Sequence, residues 1–142
     1  MPINIWYGSN ENAHLSNLAY RRFEYEARIF NSVEQAFQFY KWDFSRSCPR
    51  NAEIAELILK ATPIQSKTLG RRFIGFSISR WNDNRREIME DLIYESFMQN
   101  PDAKQALLDT GDELLTHRQD RGYWGHTFPE ILMNLRSTLC NI

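Results

Sequence analysis

The chain has 142 residues, 17 Lys and Arg against 18 Asp and Glu, a net charge of -1, and is 42% hydrophobic and 25% charged. That balance excludes a globally basic nucleic-acid coat and a disordered polyelectrolyte, and no apolar run approaches the ~20 residues of a membrane span. At this length one domain buries most of its apolar surface without staples, so the reading is a single domain over residues 1–142.

Cys48 and Cys140 carry no paired spacing and read as free thiols in a reducing cytosol. His14, His117 and His126 form no ligand-spaced set, so neither a metal nor a cofactor is expected. Met1 to Asn4 lack the basic and apolar segments of a secretory leader, which again suggests the cytoplasm. The basic residues are mostly Arg, with pairs at Arg21-Arg22, Arg71-Arg72 and Arg85-Arg86. A guanidinium fork matches phosphate, although each pair taken alone reads more simply as solvated surface.

In chain order, Ile3 to Tyr7 alternates as a short strand closed by Gly8-Ser9-Asn10. The loop through His14 to Leu18 carries small polar side chains suited to a pocket wall. Phe23, Tyr25, Ala27 and Ile29 alternate with charged residues, which predicts a hairpin turning near Tyr25 to Ala27. Ser32 and Gln35 then fit a capping box, so a helix starts near Val33. Its Val33, Ala36, Phe37 and Tyr40 share one face, while Glu34, Gln38 and Lys41 share another. Glu34 falls in the first turn, where the helix dipole favours its ionised form.

Asn51 is read as the cap of a second helix whose Ile54, Leu57 and Ile58 share a face. Thr62-Pro63-Ile64-Gln65 repeats the capping box, and Gly70 is expected to stop that short helix. Residues 73–79 read as a short strand or an extended link. Asn82 opens the longest helix, over roughly 83–99, with Ile88, Met89, Leu92, Ile93 and Phe97 inward. Asn100-Pro101 starts the next, which ends at Thr110-Gly111. A polar loop, Thr116 to Gly122, precedes Tyr123-Trp124-Gly125, and Pro129 is expected to open the last helix, burying Ile131, Leu132, Leu135 and Leu139. The fold class is therefore α+β, predominantly α-helical, with a small N-terminal sheet or hairpin.

Several ordered segments together resemble the NADAR (YbiA-like) family. They are Leu15-Ser16-Asn17-Leu18, Asn31 to Gln35 running into Gln38-Phe39-Tyr40-Lys41, Ala61-Thr62-Pro63 before Leu69-Gly70-Arg71, Trp81 before Met89, Leu108-Asp109-Thr110-Gly111, Trp124-Gly125, and Ile131 to Arg136. Each alone is commonplace, and the order over nearly the whole chain carries the resemblance. It implies an N-glycosidase that cleaves the ribose C1′–N bond of a phosphorylated ribosyl or ADP-ribosyl compound, without a metal. It also places the family's acidic residue on Glu34, its helix lysine on Lys41 and its pocket tryptophans on Trp81 and Trp124.

This chain departs from the family pattern at Arg80, where Asp is common, and at Thr116 and His117, where a Glu usually stands. It has no Gly- and Asn-containing loop after Trp124-Gly125, and Asp120 lies four residues before Trp124 rather than three. These departures resemble the branch that removes ADP-ribose from guanine, with ADP-ribosylated DNA as a macromolecular partner. The alternatives are a glycosidase of riboflavin-pathway intermediates, a non-catalytic ADP-ribose-binding module, and a plain helical interaction protein. For a glycosidase the expected catalytic residues are Glu34, Lys41 and Asp120, with His117 the alternative to Asp120 for the leaving-group proton. Ser16, Asn17, Gln38, Tyr40, Arg71, Trp81, Trp124 and Gly125 are expected to bind substrate.

Overall fold

The computed structural model describes residues 1–45 and 48–140. Among them the helices are α1 (Val33–Tyr40), α2 (Asn51–Ile58), α3 (Pro63–Gly70), α4 (Ile78–Met98), α5 (Pro101–Asp109) and α6 (Tyr123–Cys140). Strands β1 (Ile3–Asn4) and β4 (Leu115–Thr116) form one parallel pair, and β2 (Phe23–Tyr25) and β3 (Arg28–Phe30) an antiparallel one. The expected α+β, mainly helical architecture is the one observed.

The hairpin turns where the alternation ends. Phe23 stands opposite Phe30, and Glu26 and Ala27 fill a two-residue turn with φ of 50° and 63°. Left-handed conformation at both central residues matches the twist of the flanking strands, which is why the turn forms without glycine despite the strain. Phe30 then packs on Phe39 and Tyr40, so the hairpin delivers the chain into α1 and seals one side of it.

Ser32 caps α1 as expected, its Oγ accepting from the Gln35 amide at 3.0 Å. Gln35 does not reciprocate to Ser32. Its Oε1 accepts from the Asn31 amide at 2.7 Å, and its Nε2 donates to the Ile58 carbonyl at 3.0 Å, tying α1 to the end of α2. Val33, Ala36, Phe37, Phe39 and Tyr40 are all buried, so α1 is the central helix rather than a surface one. Leu92, Ile93 and Phe97 of α4 and Ile131 and Leu132 of α6 complete the core with Ile58.

Other expectations are corrected. Asn51 does not cap α2: its Nδ2 donates to the Ser45 and Ile74 carbonyls at 2.7 and 2.6 Å, and its Oδ1 accepts from the Ile74 amide at 2.9 Å. The residue stitches the segment before α2 to the one after α3. Of the face shared by Ile54, Leu57 and Ile58, Ile58 is buried and Leu57 is half-exposed. Asn82 lies inside α4, which begins at Ile78, so residues 73–79 form bends and the first helical turn rather than a strand. The first strand stops at Asn4, and Trp6 bridges back to Glu11. Leu115-Thr116 is β4 rather than loop. Pro129 is the seventh residue of α6, past the four amides that have no intrahelical partner, so it removes one hydrogen bond inside the helix rather than setting its boundary.

Arg21 is a structural residue, not a phosphate ligand. It is buried, with Nε donating to Ser96 Oγ at 2.9 Å and Nη1 donating to the His14 and Ser16 carbonyls at 2.8 and 3.0 Å. Burial pulls its pKa down to about 10. The residue pins the 14–16 segment to α4.

Asn51→Ala leaves the Ile74 amide and two carbonyls without their partner in the interior. It should cost about 2–4 kcal/mol, read as a lower urea midpoint with unchanged slope; a loss under about 0.5 kcal/mol would show that the stitch is dispensable.

Candidate functional site

A cavity of about 490 Å³ opens beside α1. Glu34, Phe37 and Gln38 of α1 and Lys41, its C-cap, form one wall, and Ser16 and Asn17 adjoin the N-terminal end of the helix. Lys67 of α3 and Arg71, just after it, lie on another side; Trp81, Arg85 and Met89 of α4 on a third. His117, Asp120 and Trp124 close the site, with Trp6 and Phe128 beside them.

Glu34 reaches the cavity because its helix begins there: the Glu34 amide donates to the Asn17 carbonyl at 3.0 Å. Gln38, one turn on, donates from Nε2 to Glu34 Oε1 at 2.7 Å. Gln38 can lie this way only because residue 70 has no side chain, since a Cβ on Gly70 would overlap Gln38 Oε1. Gly70 is the last residue of α3, where the helix was expected to stop, and it is also a close-approach glycine.

The dipole, expected to favour the ionised form of Glu34, is opposed by burial. Burial pushes its pKa up, and the Gln38 hydrogen bond and the charges of Lys67, Lys41 and Arg71 offset this in part. The magnitudes decide: a first-turn dipole is worth about 0.3–1 kcal/mol, whereas desolvating a carboxylate can shift it by up to about 3–5 pKa units at about 1.4 kcal/mol each. Lys41 moves the opposite way, lowered by burial and by Arg71 while Glu34 pulls it up. Its ammonium lies 5.9 Å from the Trp81 ring and 6.0 Å from the Phe76 ring. The two ionisable groups thus share one face of α1, each displaced towards its neutral form.

The aromatic walls are continuous. Trp81 packs on Phe37 at 4.8 Å between ring centroids and on Phe44 and Phe76, while Trp124 meets Phe37 edge-on at 5.3 Å. The Arg85 guanidinium stacks 3.6 Å above the Tyr123 ring. Three buried polar atoms on cavity residues have no hydrogen-bond partner: Asn17 Oδ1, Gln38 Oε1 and Arg85 Nε. Unpaired buried groups are uncommon in folded proteins, and these three are sealed from solvent, Gln38 Oε1 against Gly70.

The structure brings together Glu34, Lys41, Asp120, Ser16, Asn17, Gln38, Arg71, Trp81 and Trp124. It does not bring Tyr40, whose ring packs against Tyr25, Phe30 and Phe39 on the other side of α1. Gly125 serves the site indirectly, because a Cβ there would overlap the Asp120 carbonyl. Sequence reasoning missed Trp6, Phe37, Lys67 and Arg85 as lining residues. Arg85 was findable, four residues after Trp81 and hence on the same helix face; Trp6 was not, because its position depends on the distant β1–β4 pairing. Of the Arg85-Arg86 pair only Arg85 lines the cavity, Arg86 pairing with Glu130 at 2.5 Å.

The helical α+β fold has known counterparts. Residues 5–139 match the NADAR domain, and the chain belongs to the NADAR family. A riboflavin biosynthesis protein of Vibrio vulnificus is 27% identical over 126 residues, which are 87% of this chain and 32% of that protein. An N-glycosidase of Nostoc punctiforme is 31% identical over 96 residues, 66% of this chain and 59% of that one. The chain thus spans about a third and about three-fifths of these two relatives. The NMR structure of the Escherichia coli protein YbiA has the same fold, with a TM-score of 0.80 at 21% identity over 99% of this chain and 86% of YbiA.

The folded chain holds the Glu34 proton more tightly than the unfolded chain does. Its contribution to stability therefore falls as pH rises from the ordinary Glu pKa through the raised one, and the penalty persists above that. Glu34→Gln, neutral throughout, should melt higher than the wild type at neutral pH, the gap closing on acidification below the ordinary carboxylate range. Melting curves across pH check this, and a less stable variant at neutral pH would contradict the burial argument.

Proposed function

We propose that the chain is an N-glycosidase that hydrolyses the ribose C1′–N bond of a phosphorylated ribosyl or ADP-ribosyl compound, with ADP-ribose on guanine, free or in DNA, as its substrate. The observation that carries this reading is the placement of Glu34 and Lys41 on one face of α1 within an aromatic cavity flanked by cations. Breaking a ribosyl C–N bond builds positive charge at C1′ and the ring oxygen, which a nearby carboxylate stabilises. Glu34, drawn between burial and three cations, is suited to hold a water and take its proton. Lys41, its pKa lowered, is suited to attack C1′ and form a Schiff base with the opened ribose.

Trp81 and Trp124 offer faces for the base, and Lys67, Arg71 and Arg85 offer charge for phosphates. Ser16, Asn17 and Gln38 line the cavity beside Glu34, where the ribose would sit. Asp120 stands among the groups facing the leaving base. No metal or cofactor is required by this scheme. The name of the Nostoc relative supports the bond class, and that of the Vibrio relative supports a second reading in which riboflavin-pathway intermediates are the substrates. A cytosolic setting suits the free thiols Cys48 and Cys140, and among the described residues no helix is long and apolar enough to cross a membrane.

Base release, followed by chromatography from ADP-ribosylated DNA beside riboflavin-pathway intermediates, tests the reading. Guanine adducts should be the better substrates, and Glu34→Gln should lower turnover by about 10²–10⁴-fold. A fully active Glu34→Gln enzyme would remove Glu34 from the mechanism. Borohydride added during turnover should trap a covalent adduct on Lys41, whereas failure to trap one would assign the attack to water.

A further inference from the structure

The cavity wall opposite α1 carries a second constellation, built by residues distant in sequence. His117 follows β4, and its Nδ1 lies 2.8 Å from the Ile5 carbonyl just beyond β1. A carbonyl oxygen only accepts, so Nδ1 carries a proton in either charge state and Nε2 is the nitrogen free to exchange one. The ring is held by Trp6, at 5.3 Å between centroids, and by Phe128, edge-on at 5.1 Å. Asp120 Oδ2 lies 3.9 Å from Nε2, and Asp120 Oδ1 accepts from the Gly122 amide at 2.8 Å. Neither neighbouring ring brings a charge, so Asp120 is the partner that balances an imidazolium here.

We infer that His117 is the general acid of this site: its Nε2, backed by Asp120, donates the proton taken up by the departing base nitrogen. The inference rests on the glycosidase reading and assigns the group that reading leaves open. As the C1′–N bond breaks, its electron pair stays with the base nitrogen, which takes the Nε2 proton; His117 becomes neutral and keeps Nδ1–H on the Ile5 carbonyl. Where water attacks, its oxygen bonds to C1′ and its proton passes to the Glu34 carboxylate; solvent then returns a proton to His117 as Glu34 gives one up. One water is consumed, and ribose C1′–OH and the free N–H base are formed. Where Lys41 attacks first, its neutral amine bonds to C1′ as the base departs with the same proton, the amine's proton passes to the Glu34 carboxylate, and one water then hydrolyses the Schiff base to return free Lys41 and the ribose. Asp120 does not itself give up a proton in this scheme; it holds the imidazolium in place. Ordinary purine nitrogens leave poorly without a proton, whereas a pyridinium base such as nicotinamide leaves neutral and needs none.

The test compares His117→Asn with the wild type on an ADP-ribosyl-guanine substrate and on NAD, whose leaving group is nicotinamide. The Asn amide takes the place of Nδ1 and can still donate to the Ile5 carbonyl, and a thermal melt checks that the variant folds. The expected result is a loss of about 100-fold or more in kcat on guanine, with nicotinamide release within about threefold of wild type. His117→Ala should regain part of its guanine activity when imidazole is added to the buffer, and this rescue decides the matter if the wild type releases guanine but not nicotinamide. Equal losses on both substrates without rescue, or no loss on guanine, would overturn the assignment and leave the glycosidase reading standing. Release of neither base by the wild type would overturn that reading, and this inference with it.

Discussion

The Glu34 carboxylate accepts a hydrogen bond from Gln38 one turn along α1, and Gln38 can lie there only because Gly70 leaves room. Much of the structure serves this contact. The Ser32 cap fixes where the helix begins, Gln35 ties it to α2, and the Asn17 carbonyl occupies the amide of Glu34 itself. Around this frame the cations Lys67, Lys41 and Arg71 stand close enough to offset the cost of burial without forming an ion pair with Glu34 among the described residues. A carboxylate locked in a direct salt bridge would be held ionised. One balanced by dispersed charge can take up and release a proton, which is what a group acting on a ribosyl bond needs.

The opposite wall depends on a different device. Asn4 is buried, and its Oδ1 accepts from Thr116 Oγ1 and from the Arg118 amide, both at 2.9 Å, while its Nδ2 donates to Glu11 and Gln119. A pair of two-residue strands would not hold by itself, but this network clamps residues 116–119 to the start of the chain. Trp6, His117 and Asp120 are thereby carried to the cavity that α1 lines. The site is thus assembled from the first residues, the central helix and the segment before α6.

What the sequence made legible was local. The Ser32 and Thr62 caps, the hairpin turn and the helix from Pro101 each depend on residues within a few positions, and each formed where the side-chain chemistry required. What it concealed was long-range or set by burial. The β1–β4 pairing joins residues 112 apart, and two-residue strands leave no alternation to detect. Tyr40 is on the expected inward face, which is why it packs in the core rather than meeting the cavity. Phe37 was grouped with it, yet it reaches the cavity because α1 is enclosed on nearly all sides. The direction in which the Glu34 pKa moves was hidden for the same reason: a helix position reveals its dipole, while desolvation depends on what packs above it. Asn51 and Gly70 look like helix punctuation in sequence, and both prove to be fitted to a partner far along the chain.

Family membership sets the fold and, together with the cavity, narrows the chemistry; the central claim is that the cavity beside α1 takes a phosphorylated ribosyl ligand. Isothermal titration calorimetry of the whole chain with ADP-ribose tests it most directly. The account predicts saturable one-site binding that weakens as added salt screens Lys67, Arg71 and Arg85. Absence of binding at low salt would contradict it.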